Sequence, residues 1–298
     1  ALAPTLAPIE TPPKDADFAV NGVTVSVVPS VTGRQVDLAA VASRIARGRH
    51  RVRGRIIAVN PAHDTAWAEG LHITKLVSSY TTNHPCCQPR VTTIHTGATA
   101  LNGAIVEPGQ TFSLNQRLGP RTLAKGYVLA PQIGADLGYE DSVGGGVSQL
   151  STTLFNAAYE AGLPITARTN HALYIDHYPL GRDATVNYPD LDLRFVNDSD
   201  SWILVRTFAG AGSLTVNLYG TALGRRVETS GEPLRVSGPV PVKAVEDPTL
   251  TAGKRVTEEV GAPPRTTSVH RLVYDADGKL LYDDTWRSNY VEIGRAHV

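Results

Sequence analysis

The stretch Asp141–Pro164, "DSVGGGVSQLSTTLFNAAYEAGLP", decides the fold, because three glycines run straight into a helical period. Leu150, Leu154, Ala157, Ala158 and Ala161 fall at i, i+4, i+7, i+8 and i+11, one apolar face of an α-helix that Gly162 and Pro164 then stop. Gly144, Gly145 and Gly146 let the backbone take positive φ and approach a ligand closely, while N–H groups of the first helical turn point at whatever lies there. An anion is the natural guest of such a junction. No Gly-Lys-Ser/Thr follows, and Gly144-x-Gly146-x-x-Gln149 lacks the last small residue of the dinucleotide fingerprint, so no nucleotide or nicotinamide cofactor is expected.

Ser148, at the mouth of this helix, has two readings. As a nucleophile it needs a positioned base with an orienting partner, because its hydroxyl stays protonated at neutral pH. His171 in "TNHALYIDHYPLGRDATV" is the candidate base, with Asp176 and Asp183 as candidate orienters. As a structural residue it is a preferred N-cap, and Ser148, Ser151, Thr152 and Thr153 can all cap or line the first turn.

Outward from this helix, the chain from Tyr80 to Gly220 is rich in Gly, Asn and Thr. A shorter helix is predicted over Thr92–Leu101, with Ile94, Ala98 and Leu101 on one side. "DLDLRFVNDS", "WILVRTFAG" and "SLTVNLYG" read as antiparallel strands, which makes the domain α+β. Towards the C-terminus, "RLVYDADGKLLYDDTW" is two strands around the hairpin pair Asp277-Gly278, within a small all-β module. Towards the N-terminus, Phe18 to Val77 reads as strand, helix, strand, with Asp37 as the N-cap of a helix carrying Leu38, Val41 and Ile45.

The 298 residues allow about two domains. Lys plus Arg and Asp plus Glu are both 28, so no overall field draws the chain to nucleic acid or to an anionic membrane. There is no apolar stretch long enough to cross a bilayer, and any membrane attachment is expected through a segment missing from this chain. The leader "ALAPTLAPIETPPKDADF" lacks the pattern of a signal peptide and reads, over residues 1–17, as a Pro-rich linker. Glu292–Val298, "EIGRAHV", equals one translation of a common sequencing adapter and is expected to be artefactual. Cys86 and Cys87 are adjacent and rule out a framework of disulfides; with His84 and His95 they match no zinc spacing, so no metal is expected.

Those residues around the glycines, with "LNGAIVEPGQTFSLNQRLGPRTLAKGYVLAP" upstream and "GRDATV" downstream, resemble the VanW family of bacterial cell-envelope proteins. The resemblance covers about Tyr80 to Gly220 and includes Asn102-Gly103, Pro108-Gly109, Phe112-Ser113, Asn115, Gly126-Tyr127, Gln149, Asn156, His171 and Arg182 to Thr185. The flanks are similar to what accompanies that family: residues 18–77 to the end of a peptidoglycan-binding-type domain, and residues 232–291 to a G5 domain, on either side of a VanW-like domain at 78–222. The resemblance implies an extracytoplasmic protein, in the cell wall or at the outer face of the cytoplasmic membrane, with peptidoglycan as its partner. Many members carry Cys where this chain has Ser148, and some of those are linked to L,D-transpeptidase-type cross-linking through a thiol acyl-enzyme.

Two functions follow as expectations. The first is binding of a peptidoglycan stem peptide in a cleft at Gly144 to Ser148, lined by Gly144, Gly145, Gly146, Gln149, Ser151, Thr152, Arg182 and Tyr127. Guanidinium pairs well with carboxylate, which nominates Arg90, Arg117, Arg121 and above all Arg182, while Tyr127, Tyr174 and Tyr178 are candidates to line a groove. The alternative is an acyl-transfer enzyme with Ser148 as nucleophile, His171 as base and Asp183 as orienter. Neither reading calls for a cofactor.

Overall fold

A computed structural model describes residues 9–85, 89–133 and 139–297. Cys86 and Cys87 lie outside the described residues. The chain divides into two compact units, Ala1–Lys75 and Leu76–Val298.

In the first unit, β1 (Asp17–Asn21) and β2 (Thr24–Val28) form an antiparallel hairpin, and β3 (Gly33–Val36) pairs antiparallel with β4 (Ile56–Val59). Between β3 and β4 lies α1 (Leu38–Ala46), whose N-cap Asp37 accepts the amide of Ala40 at 2.9 Å, as the sequence predicts. A second helix, α2 (Thr65–Gly70), is capped by Asp64 in the same way. The apolar stripe of α1 behaves differently from expectation: no residue of this helix is buried, and Leu38 and Ile45 are exposed. The small core of the unit comes instead from Phe18, Val36, Ala68, Leu71 and Ile73.

The second unit opens with β5 (Lys75–Asn83), α3 (Arg90–Leu101), β6 (Ile105–Val106), β7 (Thr111–Ser113) and α4 (Leu114–Leu118). The hairpin β8 (Leu129–Ile133) and β9 (Tyr139–Val143) leads into the central helix α5 (Val147–Glu160). Then come β10 (Ile165–Ala167), β11 (Arg194–Val196), β12 (Ile203–Ala209) and β13 (Ser213–Gly220). Strands β5, β13, β12 and β6 lie side by side in that order, and β10, β11 and β7 make a smaller antiparallel sheet. The unit is α+β, as its alternating and helical segments predict.

Burial of α5 goes well beyond one apolar face. Leu150, Leu154, Ala157 and Ala158 are buried, but so are Gln149, Ser151, Thr152, Thr153 and Asn156. A polar residue inside a core must find partners. Thr152 Oγ1 donates to the carbonyl of Ala184 and accepts its amide, Thr153 pairs with Thr82, and Asn156 donates to the carbonyl of Arg182. The helix is thus enclosed all round.

The C-terminal strands are β14 (Arg226–Gly231), β15 (Arg235–Val236), β16 (Val242–Val245), β17 (Val256–Glu259), β18 (Ala262–Tyr274), β19 (Leu280–Glu292) and β20 (Gly294–His297). β18 and β19 form a long antiparallel hairpin that turns at Asp277-Gly278, where Gly278 has φ +82° as such a turn requires. This ribbon joins the core of the second unit: Val269 belongs to it and Trp286 packs on Phe155 and Tyr159. Arg271, fully buried, donates to the carbonyls of Tyr159 and Leu163 at 3.1 Å each and caps the C-terminal end of α5. The segment set aside on sequence grounds, 292–298, contributes β20, which pairs with β16 and β17. Among the described residues no helix is long and apolar enough to cross a membrane.

Candidate functional site

The glycine corner is tight rather than open. Gly144 and Gly146 sit at φ +97° and +95°, and a Cβ on Gly145 would stand 2.1 Å from the carbonyl oxygen of Ala130 in β8. Gly144 and Gly146 lie under the side-chain stems of Arg121 and Arg90, which would meet a Cβ at 2.8 Å in both cases. The corner therefore fixes two arginines against the start of α5. Its own amides are partly consumed, since Gly144 N donates to the carbonyl of Val128 and Gly145 N to that of Ser142, both at 3.1 Å, while the first-turn amides of Val147 and Gln149 donate to the carbonyls of Gly144 and Gly146.

Gly146, in the left-handed region, is the N-cap of α5, so Ser148 lies inside the first turn and is not the cap. The Ser148 hydroxyl pairs with Thr185 Oγ1 at 3.1 Å and accepts the amide of Val186 at 3.4 Å. No hydrogen bond joins it to His171 among the described residues. His171 is 5% exposed and bound to Asp183 twice: its main-chain amide and its ring Nδ1 both meet Asp183 Oδ2, at 2.6 and 2.8 Å. The nucleophile and base expected of an acyl transferase are thus each engaged elsewhere, while base and orienter are brought together. Asp176, the other candidate orienter, is exposed and lies 3.8 Å from His177.

Asp183 is itself buried and anchored on its second oxygen by Arg168 at 3.1 Å and Tyr290 at 2.7 Å. Burial alone pushes its carboxyl up, but the hydrogen bond from His171 and the charges of His171 and Arg168 prevail and hold it below the usual carboxylate range. Burial lowers Arg168 from its ordinary value, against the pull of Asp183, and burial raises Tyr290. Arg168 and Tyr290 were not singled out in the sequence. Tyr290 belongs to β19, and only the tertiary fold brings it here.

Around Gln149 a second cluster forms. Its Oε1 accepts from Tyr178 at 2.8 Å and from Arg90 at 3.2 Å, and its Nε2 donates to Thr82 and, at 3.3 Å, to the carbonyl of Asn83. The Tyr178 ring is flanked by His171 and His177, with centroids 5.5 and 4.5 Å away. Burial pushes the Tyr178 phenol up to about 12. His177 is held below the ordinary histidine value, first by burial and then by the charge of Arg90, with His171 and His84 adding to it and Asp176 opposing it. Arg90 Nε and His84 Nε2 are buried without a hydrogen-bond partner among the described residues. His84 Nδ1 lies 3.1 Å from the carbonyl of Pro85, which can only accept, so a neutral ring presents Nε2 as an acceptor and a protonated ring presents it as a donor.

The other candidates are scaffold. Arg182 donates to Asn156 Oδ1 and to Glu160 and lies 4.0 Å above the Tyr159 ring, so its guanidinium is spent within the fold. Asp183, its neighbour in sequence, pairs with Arg168 and His171. Gln149, Ser151 and Thr152 are buried, and Arg117 donates to the carbonyls of Ala100 and Asn102. Tyr127, also buried, reaches a cavity of about 650 Å³ beside α3, away from Gln149, whose other walls include Thr92, His95 and Lys125. Tyr174 is half-buried and packs on Tyr290. What remains chemically available near the glycine corner is cationic: Arg90, with three imidazoles close by, and Arg121, whose Nη1 donates to the carbonyl of Gly119 while its Nη2 is buried without a partner among the described residues.

Comparison with known proteins matches two segments of the chain to family models. Residues 1–51 match a family model described as a putative peptidoglycan binding domain. A curated relative, "Uncharacterized protein YoaR" of Bacillus subtilis (strain 168), is 42% identical over 128 residues, which is 43% of this chain and 42% of that protein. The chain thus aligns with less than half the length of that relative. Residues 89–219, from the start of α3 to the end of β13, match the model described as VanW like protein, and together the two domain matches point to a cell-wall-associated protein.

Proposed function

We propose that this chain binds peptidoglycan, and that the second unit holds a stem-peptide carboxylate at Arg90 with His84 and His177 beside it. The observation that carries this reading is the pair of buried nitrogens without partners among the described residues, Arg90 Nε and His84 Nε2, in a cluster whose nearby carboxylates are Asp183, already neutralised by Arg168, and the exposed Asp176 beside His177. Buried polar atoms in a folded protein are normally hydrogen-bonded, and a carboxylate supplies acceptor oxygens for Arg90 Nε and, when the His84 ring carries both protons, for His84 Nε2. The glycine corner supports the site from behind by pinning the Arg90 stem. The Ser148 hydroxyl, where the resemblance gives many members Cys, is engaged with Thr185 and Val186 rather than with His171.

Co-sedimentation of the full chain with purified sacculi tests this, with muropeptide masses followed in the same samples. Wild type and Ser148→Ala are expected to sediment alike and to leave the muropeptide profile unchanged, while Arg90→Gln stays in solution to a larger extent. Cross-linked or exchanged products that disappear in Ser148→Ala would replace binding by acyl transfer.

A further inference from the structure

A second cavity, of about 350 Å³, lies between β7, α4 and the turn at Asn187–Leu191, with Thr111, Gln116, Tyr188, Asp192 and Arg194 in its walls. Its volume is within the range of small-molecule sites, roughly 300–1,000 Å³. Asn115, 5% exposed, forms part of the same wall. Its Nδ2 donates to the carbonyls of Asn187, Pro189 and Leu191 at 3.2, 3.3 and 2.9 Å, which fixes the orientation of the amide. Its Oδ1 is therefore the acceptor end, and it meets no partner among the described residues. Asp192 is held in place by Ser113 Oγ, the Asn115 amide and Arg194 Nε at 2.6, 2.9 and 2.7 Å.

The chemistry of the walls selects the ligand. Asp192 and Arg194 form an ion pair, so the cavity favours neither a free anion nor a free cation. The Nη atoms of Arg194, the side-chain amide of Gln116 and the hydroxyls of Thr111 and Tyr188 have no hydrogen bond among the described residues, and they offer donors and acceptors together. Tyr188 is 43% exposed and carries the Arg121 guanidinium 5.8 Å from its ring centre, which steadies the ring. A neutral ring bearing hydroxyls on its edge and C–H groups on its face matches such a wall. We infer that this cavity binds a saccharide ring, with Tyr188 as the stacking platform and Arg194, Gln116 and Thr111 as hydrogen-bonding partners. This site is separate from Arg90 and does not rest on the stem-peptide reading.

The test is titration of the full chain, by calorimetry and by ligand-observed NMR, with the β-1,4-linked tetramer of N-acetylglucosamine and with cellotetraose. At least one of the two is expected to bind, Tyr188→Ala and Arg194→Gln to weaken it tenfold or more, and Arg90→Gln to leave it unchanged. Both changed residues are exposed enough for the fold to tolerate them, and matching thermal melts establish this. Failure of both sugars to bind would overturn the assignment, as would binding that persists in both variants or that is lost in Arg90→Gln.

Discussion

Asp183 accepts both the main-chain amide and the ring Nδ1 of His171 on a single carboxylate oxygen, leaving its other oxygen for Arg168 and Tyr290. One buried carboxylate thereby joins the His171 segment to β19 of the C-terminal ribbon.

Asp183→Asn should therefore destabilise the second unit by about 3–5 kcal/mol, because Arg168 is left buried without its charge partner. The pH dependence has a defined sign. A carboxyl held below its unfolded value contributes stability that is fully present above about pH 4 and is lost as pH falls through the lower folded value. The variant should accordingly show a shallower acid limb in a series of thermal melts. An equally steep limb in Asp183→Asn would mean that other groups drive acid unfolding.

Arg271 connects the same ribbon to the far end of α5, where it reaches two carbonyls and Asp284. Arg271→Met leaves the Leu163 carbonyl without this donor and Asp284, about a third exposed, without its counter-charge, while the Tyr159 carbonyl keeps the Gly162 amide, so a cost of about 1–3 kcal/mol in urea unfolding is expected. A truncation that ends before Arg226 should go further and expose Phe155 and Tyr159 to solvent, giving a chain that binds hydrophobic dyes. Native-like melting of that truncation would show that the ribbon is dispensable.

The glycine corner makes a sharper prediction about sterics. Gly145→Ala places a methyl group against the Ala130 carbonyl, and overpacking of this kind should cost about 3 kcal/mol or more. Gly109→Ala is the opposite case: Gly145 lies outside the left-handed region, whereas Gly109 sits at φ +76° with nothing within 4 Å of an added Cβ, so only left-handed strain of about 1–2 kcal/mol is expected there. Equal losses in the two variants would remove the argument that close approach to β8 is what requires glycine there.

Much of this was legible in the sequence, and the reason is local. The Leu150 to Ala161 period, the Asp37 cap and the Asp277-Gly278 turn are written within a few residues, and each element forms where those signals lie. His171 and Asp183 are twelve residues apart, and their pairing also follows from one short segment. What the sequence conceals is long-range. Thr82 reaches Thr153 and Gln149, and Tyr290 reaches Asp183 from 107 residues away. A stripe of apolar residues says nothing about the polar residues opposite it, so the burial of Thr152 and Asn156 could be seen only once their backbone partners were in place. For the same reason Arg182, in the "GRDATV" string that lies within the family resemblance, reads as a ligand contact when its guanidinium in fact serves Asn156 and Glu160.

The most direct measurement is calorimetric titration of the full chain with a peptidoglycan stem peptide whose C-terminal carboxylate is either free or amidated. Charge-assisted hydrogen bonds contribute about 1.5–3 kcal/mol each, roughly ten- to a hundredfold in affinity. The free acid should bind that much more tightly than the amide, Arg90→Gln should erase the difference, and Ser148→Ala should leave it intact. Equal binding of acid and amide to wild type would contradict a carboxylate site at Arg90.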